Sequence, residues 1–229
     1  MRTIGLIGGM SWESTALYYR LLNEGAAARL GGLHSAPLLL HSVDFAPIEE
    51  MQTAGRWEEA GNVLAASAQS LLSGGAELIA LATNTMHKVA PQIEDAIDVP
   101  FVHLVDATAT AVLAAGLTRV GLLATGFTME DGFYHQRMRQ HGIEVLVPEA
   151  DDRAEVHRVI YEELCLGLVS TASRQRYLDI ANRLAGAGAE GLVLGCTEIE
   201  LLVQPGDTDL RQFPTTAIHV EAILDAAHK

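Results

Sequence analysis

The chain has 229 residues, enough for one large α/β unit or two smaller domains, and two lobes of roughly 100 residues each suit the pattern best. Hydrophobic residues make up 49% and charged residues 19%, and no apolar run approaches the roughly 20 residues of a membrane helix, so we expect a soluble protein without a membrane partner. The formal net charge of -14 repels phosphate backbones, which argues against nucleic acid as a partner.

The first half of the chain alternates strand and helix patterns. The N-terminus, MRTIGLIGGM, enters a strand without the apolar core of a secretory signal, so we expect a cytoplasmic protein. Apolar periodicity, caps and glycines predict, in order, a strand at 3–7, a helix from Ser11 or Ser14 to about residue 30, a strand at 37–43, a helix at 57–72 and a strand at 78–82.

The second half repeats this order. TIGLIGGM corresponds to RVGLLATG, and AELIALATNT corresponds to AEGLVLGCTE. The predicted elements are strands at 120–124, 143–147 and 191–194, helices at 130–140, 153–166 and 171–185, and a last helix at 217–228 without a counterpart. We therefore expect an α/β fold with two pseudo-symmetric lobes, each a parallel sheet flanked by helices. Residues 1–100 would form the first lobe and 101–214 the second, with residues 215–229 returning to the first.

Two segments carry the strongest chemical signal, ALATNTMHK and LVLGCTEIE. Each is an apolar run that ends in hydroxyl- or thiol-bearing residues, and ligands of open parallel sheets lie beyond the carboxyl ends of the strands. In two facing lobes, Thr83 and Cys196 would stand on opposite sides of one cleft. Groups on both faces of one carbon atom are what a racemase needs.

The thiol of Cys196 is the candidate base, because a following helix start would lower its pKa; the alternative is a small buried apolar residue. Thr83 carries a weakly acidic hydroxyl and is equally suited to cap a helix. Asn84 and Thr85 could cap that helix while their backbone N–H groups hold a carboxylate.

Other polar residues have less specific surroundings. His87 is expected to be a structural or surface histidine, and Cys165 to be a packing residue with a free thiol. The histidines show no metal-ligand spacing, so no metal site is expected. The glycines of GLIGGMSWES do not match GxGxxG, and we interpret them as a tight turn that places Met10 and Ser11 at the mouth of the cleft.

Several separated motifs occur in one order: IGLIGGMSWEST, LLHSVDF, TNTMHKVA, GCTEIELL and AIHVEA. Together they closely resemble the aspartate/glutamate racemases, in particular the bacterial broad-specificity amino-acid racemases. The resemblance implies two pseudo-symmetric lobes, no pyridoxal phosphate or metal cofactor, and a homodimer. It also implies a catalytic cysteine after the central strand of each lobe, and these two positions map to Thr83 and Cys196.

The threonine departs from the family pattern. With Cys196 removing the proton from the L isomer and Thr83 donating one on the opposite face, we expect efficient conversion of L to D, a poor reverse step and an equilibrium constant of one. The substrate contacts implied by the resemblance are Met10, Thr83, Asn84, Thr85, Thr197 and Glu198.

Gln52 stands in the region where related aspartate racemases carry an arginine for the distal carboxylate. A neutral amide binds a carboxylate more weakly, so loose discrimination between aspartate and glutamate is expected. Two other functions stay open. One is a decarboxylase of malonates that uses Cys196 as its proton donor, and the other is a non-catalytic amino-acid-binding protein.

Overall fold

The structure is a computed structural model that describes residues 1–228. The chain forms two compact units, one made of residues 1–104 together with those after Ile218, and one made of Val105–Ile218. Each unit is built on one parallel sheet of four strands. The predicted α/β architecture of two parallel sheets flanked by helices is confirmed.

The first unit has the strand order β2-β1-β3-β4. Ile4 of β1 lies opposite Leu38 of β2 and Leu78 of β3. The elements up to this sheet's last strand are β1 (Ile4–Gly8), α1 (Trp12–Leu30), β2 (Leu38–Ser42), α2 (Phe45–Thr53), α3 (Trp57–Ser73), β3 (Leu78–Leu81), a 3-10 helix (Thr85–Val89), α4 (Ala90–Asp95) and β4 (Phe101–Val102).

The second unit has the equivalent order β6-β5-β7-β8. The elements that complete the chain are α5 (Leu104–Ala114), β5 (Arg119–Leu123), α6 (Gly126–Glu130), α7 (Gly132–Gln140), β6 (Glu144–Leu146), α8 (Ala150–Glu162), a 3-10 helix (Leu164–Leu166), α9 (Thr171–Gly186), β7 (Gly191–Leu194), α10 (Ile199–Leu202), β8 (Arg211–Pro214) and α11 (Thr215–His228). Among the described residues, no helix combines the length and apolar character needed to cross a bilayer.

Three of the four inner strands are buried along their whole length. All residues of β1, β3 and β7 are buried, as expected for parallel strands covered on both faces. In the first unit, residues of α1 and α11 pack against one face of the sheet, and residues of α3 pack against the other. Each fully buried leucine or isoleucine contributes about 1.5–3 kcal/mol to the free energy of unfolding, so these layers fix the ends of β1 and β3 firmly.

Some helices differ from the sequence prediction. The helix predicted at 130–140 begins at Gly132, because Asp131 before it has an extended backbone. The helix predicted at 153–166 ends at Glu162, and a 3-10 turn follows it. Three helices, α2, α5 and α6, and the short edge strands β4 and β8 were not predicted from the sequence.

The turn after β1 is rigid. Gly9 has a φ of +95°, and a β-carbon there would lie 2.2 Å from the carbonyl oxygen of Val43, so no other residue fits. The Gly9 N–H donates to Thr15 Oγ1 at 2.8 Å, and Ser11 caps α1 by accepting from the Ser14 N–H at 3.2 Å. These bonds hold Met10 at the carboxyl end of β1.

A buried histidine fastens α11 within the first unit. His219 Nε2 lies 2.7 Å from the carbonyl oxygen of Val102, and Nδ1 lies 2.9 Å from the hydroxyl of Tyr18. A carbonyl only accepts, so Nε2 carries the proton and Nδ1 accepts from the tyrosine. Burial lowers the pKa of His219 to about 4, because the charged ring would lose its hydration.

Because His219 is neutral in the folded chain, we expect the folded state to lose stability in acid. The unfolded chain binds the proton at a higher pH than the folded chain does, so the stability contribution is fully present above pH 6.5 and is lost as pH falls toward 4. The shift corresponds to about 3 kcal/mol. We expect His219→Gln to flatten this part of the curve of unfolding free energy against pH, measured by urea denaturation. The exposed His34→Gln is the control, and equal slopes in all three proteins would contradict the prediction.

Candidate active site

Thr83 lies just beyond the carboxyl end of β3. Its N–H donates to the carbonyl of Leu81 at 2.9 Å, and its own carbonyl accepts from His87 Nδ1 at 2.7 Å. The side chain is half-buried, and its hydroxyl makes no hydrogen bond within residues 1–228. The alternative of a helix cap is therefore wrong, and the hydroxyl is open to a ligand.

Asn84 and Thr85 are both buried, with 7% and 8% of their surface exposed. Asn84 occupies the N-cap position of the 3-10 helix Thr85–Val89, but its side chain makes no capping hydrogen bond, because its backbone is already helical. The expected side-chain cap is therefore wrong. The proposed contact between the backbone N–H groups and a carboxylate stays a prediction.

Gln52 and Met10 lie close to this segment. Met10 belongs to the same buried cluster as Met86, and Gln52 Nε2 donates to Met86 Sδ at 2.9 Å. A thioether is a weak acceptor, and Gln52 Oε1 accepts no hydrogen bond from the described part of the chain. The amide is therefore buried but only weakly hydrogen-bonded. Arg56, in contrast, pairs with Glu59 at the surface.

In the second unit, Cys196 follows β7 as predicted. Its thiol donates a hydrogen bond to Glu198 Oε2 at 2.9 Å. Beside it, the hydroxyl of Thr197 lies 3.2 Å from the hydroxyl of Thr216, at the start of α11. The structure thus brings the predicted residues Cys196, Thr197 and Glu198 together at the carboxyl end of the second sheet.

The expected low pKa of Cys196 is wrong. Burial, followed by the charge of Glu198 and the hydrogen bond to it, raises the pKa of Cys196 well above its ordinary value. The helix after Cys196, Ile199–Leu202, has only four residues, so its dipole is too small to offset these effects. The residue is a thiol that points its proton at a carboxylate.

Removing the charge of the Glu198 carboxylate should shift the pKa of Cys196 measurably. In Glu198→Gln the charge is removed, so we expect the pKa of Cys196 to fall, although burial keeps it above that of a free cysteine. The measurement is the pH dependence of thiol alkylation, made in a Cys165→Ser background because Cys165 is exposed and would react too. Glu198→Asp keeps the charge and is the matched control. A pKa in Glu198→Gln equal to that of the parent would contradict the assignment.

Two further residues of this unit were missed or misread. Glu200 is in the GCTEIE motif but received no function, and burial followed by the nearby charge of Glu198 raises its pKa to about 7. In the sequence, the position of Glu200 two residues after Glu198 was the signal that could have indicated this pKa. Cys165 was expected to pack inside the protein but is exposed, because α8 ends before it.

The described residues include no group of three or more His, Cys, Asp or Glu side chains placed to hold a metal ion. The candidate site residues of the two units are proton-carrying side chains: a thiol paired with a carboxylate, and a hydroxyl. Each of the two equivalent parallel sheets has one such group after an inner strand, and groups of this kind can move a proton on a carbon atom.

The chain belongs to the Asp/Glu/hydantoin racemase family, whose sequence model matches residues 7–223. A protein from Yersinia pestis, provisionally described as an Asp/Glu racemase, is 50% identical over the full length of both chains, with a TM-score of 0.95. An aspartate racemase homologue from Pyrococcus horikoshii is 33% identical over the full length of both, with a TM-score of 0.88. A glutamate racemase from Shewanella woodyi is 31% identical over 134 residues, which span 56% of this chain and 47% of that protein.

Proposed function

We propose that this chain converts L-aspartate or L-glutamate to the D isomer by proton transfer between side chains, with Cys196 as the base and Thr83 as the acid. The observation that carries the proposal is the hydrogen bond from the Cys196 thiol to Glu198, at 2.9 Å. It provides both the atom that takes the α-proton and an acceptor for the proton that the thiol must first lose. The proposal requires Thr83 and Cys196 to reach opposite faces of one α-carbon.

The proton balance follows from these groups. Glu198 takes the thiol proton, and the thiolate takes the α-proton from the L substrate. The Thr83 hydroxyl then donates its proton to the opposite face of the carbanion, which gives the D isomer. Before the next turnover, the threonine alkoxide takes a proton from water and Glu198 releases one, so the enzyme is unchanged.

Substrate binding is proposed at the first unit's sheet edge. Thr83, Asn84 and Thr85 would hold the α-carboxylate, and Gln52 would move its amide from the weak thioether acceptor of Met86 to the distal carboxylate. In the second unit, Thr197 would contact the substrate beside Cys196. Because a single amide lacks the paired donors of a guanidinium, aspartate and glutamate would both be accepted.

The test is proton NMR in D2O on L-aspartate and L-glutamate without added cofactor, with the D isomers run in parallel. Chiral chromatography then identifies the products. Loss of the α-proton signal together with a D product supports the proposal and ranks the two substrates. If both amino acids stay unchanged, the proposal fails for them, and release of carbon dioxide from malonates or ligand binding without turnover would support one of the two other functions.

A further inference from the structure

His87 has both of its ring nitrogens engaged in the core of the first unit. The residue is 2% exposed. Nδ1 lies 2.7 Å from the carbonyl oxygen of Thr83, and Nε2 lies 3.1 Å from the backbone nitrogen of Leu104. A carbonyl only accepts and a backbone N–H only donates, so the partners require a neutral ring with its proton on Nδ1.

The carbonyl of Thr83 lies between two hydrogen-bond ladders. The last bond that extends β3 toward β1 runs from the Ala82 N–H to the carbonyl of Ile7, at 2.9 Å. The first bond of the following 3-10 helix runs from the His87 N–H to the carbonyl of Asn84, at 3.0 Å. Between them, the imidazole supplies the hydrogen bond that the Thr83 carbonyl accepts.

The ring itself is held in place. Its second nitrogen accepts from Leu104, and its centroid lies 4.6 Å from that of His103 and 5.8 Å from that of Phe101. A ring packed and bonded on these sides has one orientation. The ring therefore couples the position of the Phe101–Leu104 segment to the orientation of the peptide group that joins Thr83 to Asn84.

We propose that His87 is a positioning residue that orients the Thr83 hydroxyl toward the carbanion, an inference that rests on the proposed function. The imidazole does not touch the substrate in this scheme. It fixes the orientation of the peptide group beside the Thr83 side chain, which carries the proton donor. A displacement of such a donor by about 1 Å lowers a reaction rate by about 10²-fold.

The two bonds of the ring can be removed one at a time. His87→Asn places an amide nitrogen near the position of Nδ1, so it keeps the donor to Thr83 and loses the acceptor for Leu104. His87→Gln places an amide oxygen near Nε2, so it keeps the acceptor for Leu104 and loses the donor to Thr83. The two variants are matched in polarity and in burial.

The measurement is a partition ratio in D2O with L substrate. After Cys196 takes the α-proton, its thiol carries that proton and exchanges it with D2O. Return from the exchanged thiol gives α-deuterated L isomer, and transfer from the deuterated Thr83 hydroxyl gives the D isomer. Loss of folded enzyme lowers both products equally and leaves their ratio unchanged. Misplacement of Thr83 raises the ratio of deuterated L isomer to D isomer.

We expect His87→Gln to raise this ratio at least about tenfold, and His87→Asn to raise it much less. Ser67→Ala is the control, because it removes a hydrogen bond from a buried hydroxyl to the carbonyl of Val63 in the same unit, away from His87 and Thr83. It is expected to lower the melting temperature and leave the ratio unchanged.

A ratio in His87→Gln equal to that of the wild type, which itself exchanges, overturns this inference and leaves the proposed function standing. No exchange by the wild type overturns both. If the two variants fail to fold, nitrogen NMR of histidine-labelled wild type decides: a proton on Nδ1 of His87 supports the inference, and a proton on Nε2 overturns it.

Discussion

Cys196→Ser is expected to lower the rate of α-proton loss from L-aspartate and L-glutamate by about 10²- to 10⁴-fold. A serine hydroxyl is a far weaker acid than a thiol, so Glu198 does not generate the corresponding anion. The side chains have nearly the same size, and Cys196 is half-buried, so the fold should survive. The rate is measured by proton NMR in D2O, and the affinity for substrate by calorimetry.

The matched control for this substitution is Cys165→Ser, which changes the second thiol of the chain at an exposed position. We expect wild-type exchange rates in that variant. Exchange by Cys196→Ser within tenfold of the wild-type rate would remove this residue from the proposed mechanism. Unchanged substrate affinity alongside lost turnover would identify the thiol as a reacting group rather than a binding group.

The fold followed from the sequence mainly where strands are fully buried. Residues 191–194 were predicted with the bounds that the structure has, because GLVL is an uninterrupted apolar run. Two of the four edge strands were missed because their sequences are uninformative: β4 has two residues and β8 reads RQFP, so neither carries a usable pattern. Their places depend on pairing with β3 and β7, which a local pattern does not encode.

The chemistry of the site followed from the sequence only in part. Residue types and strand ends were sufficient to select Thr83 and Cys196. The pKa of Cys196 was predicted in the wrong direction, because the sequence shows neither the burial of the thiol nor that the Glu198 side chain folds back onto it. The position of His87 was also out of reach, since its second bond joins it to Leu104, seventeen residues away in the chain.

Thermodynamics limits the asymmetry expected from a threonine. Enantiomers have equal free energies in water, so kcat/KM for L to D must equal kcat/KM for D to L in any variant. Efficient conversion in one direction alone is therefore excluded at low substrate concentration. The asymmetry can appear in kcat and KM separately, and in exchange: Cys196 can remove and return a proton on the L isomer without any step at Thr83.

Thr83→Ala should separate exchange from inversion. In the proposed mechanism, Cys196 still removes the α-proton of the L isomer without this hydroxyl, and its thiol returns deuterium to the same face after exchanging with D2O. We expect formation of the D isomer to fall by about 10²- to 10⁴-fold, while exchange on the L isomer changes by less than about tenfold. Because exchange of the D isomer requires a base at position 83, it should fall together with inversion. Both rates come from proton NMR and chiral chromatography of the same samples.

Thr83→Cys tests the same step in the opposite direction. A thiol at this position exchanges protons in both directions far more readily than a hydroxyl, so deuterium should enter the D isomer faster than the D isomer is converted. Racemisation should speed up equally from both enantiomers if the step at Thr83 limits the rate. Thr83→Ser, which keeps a hydroxyl, is the control and should resemble the wild type. If Thr83→Ala forms the D isomer at the wild-type rate, the proton on that face comes from another donor, and the proposed two-sided mechanism is wrong.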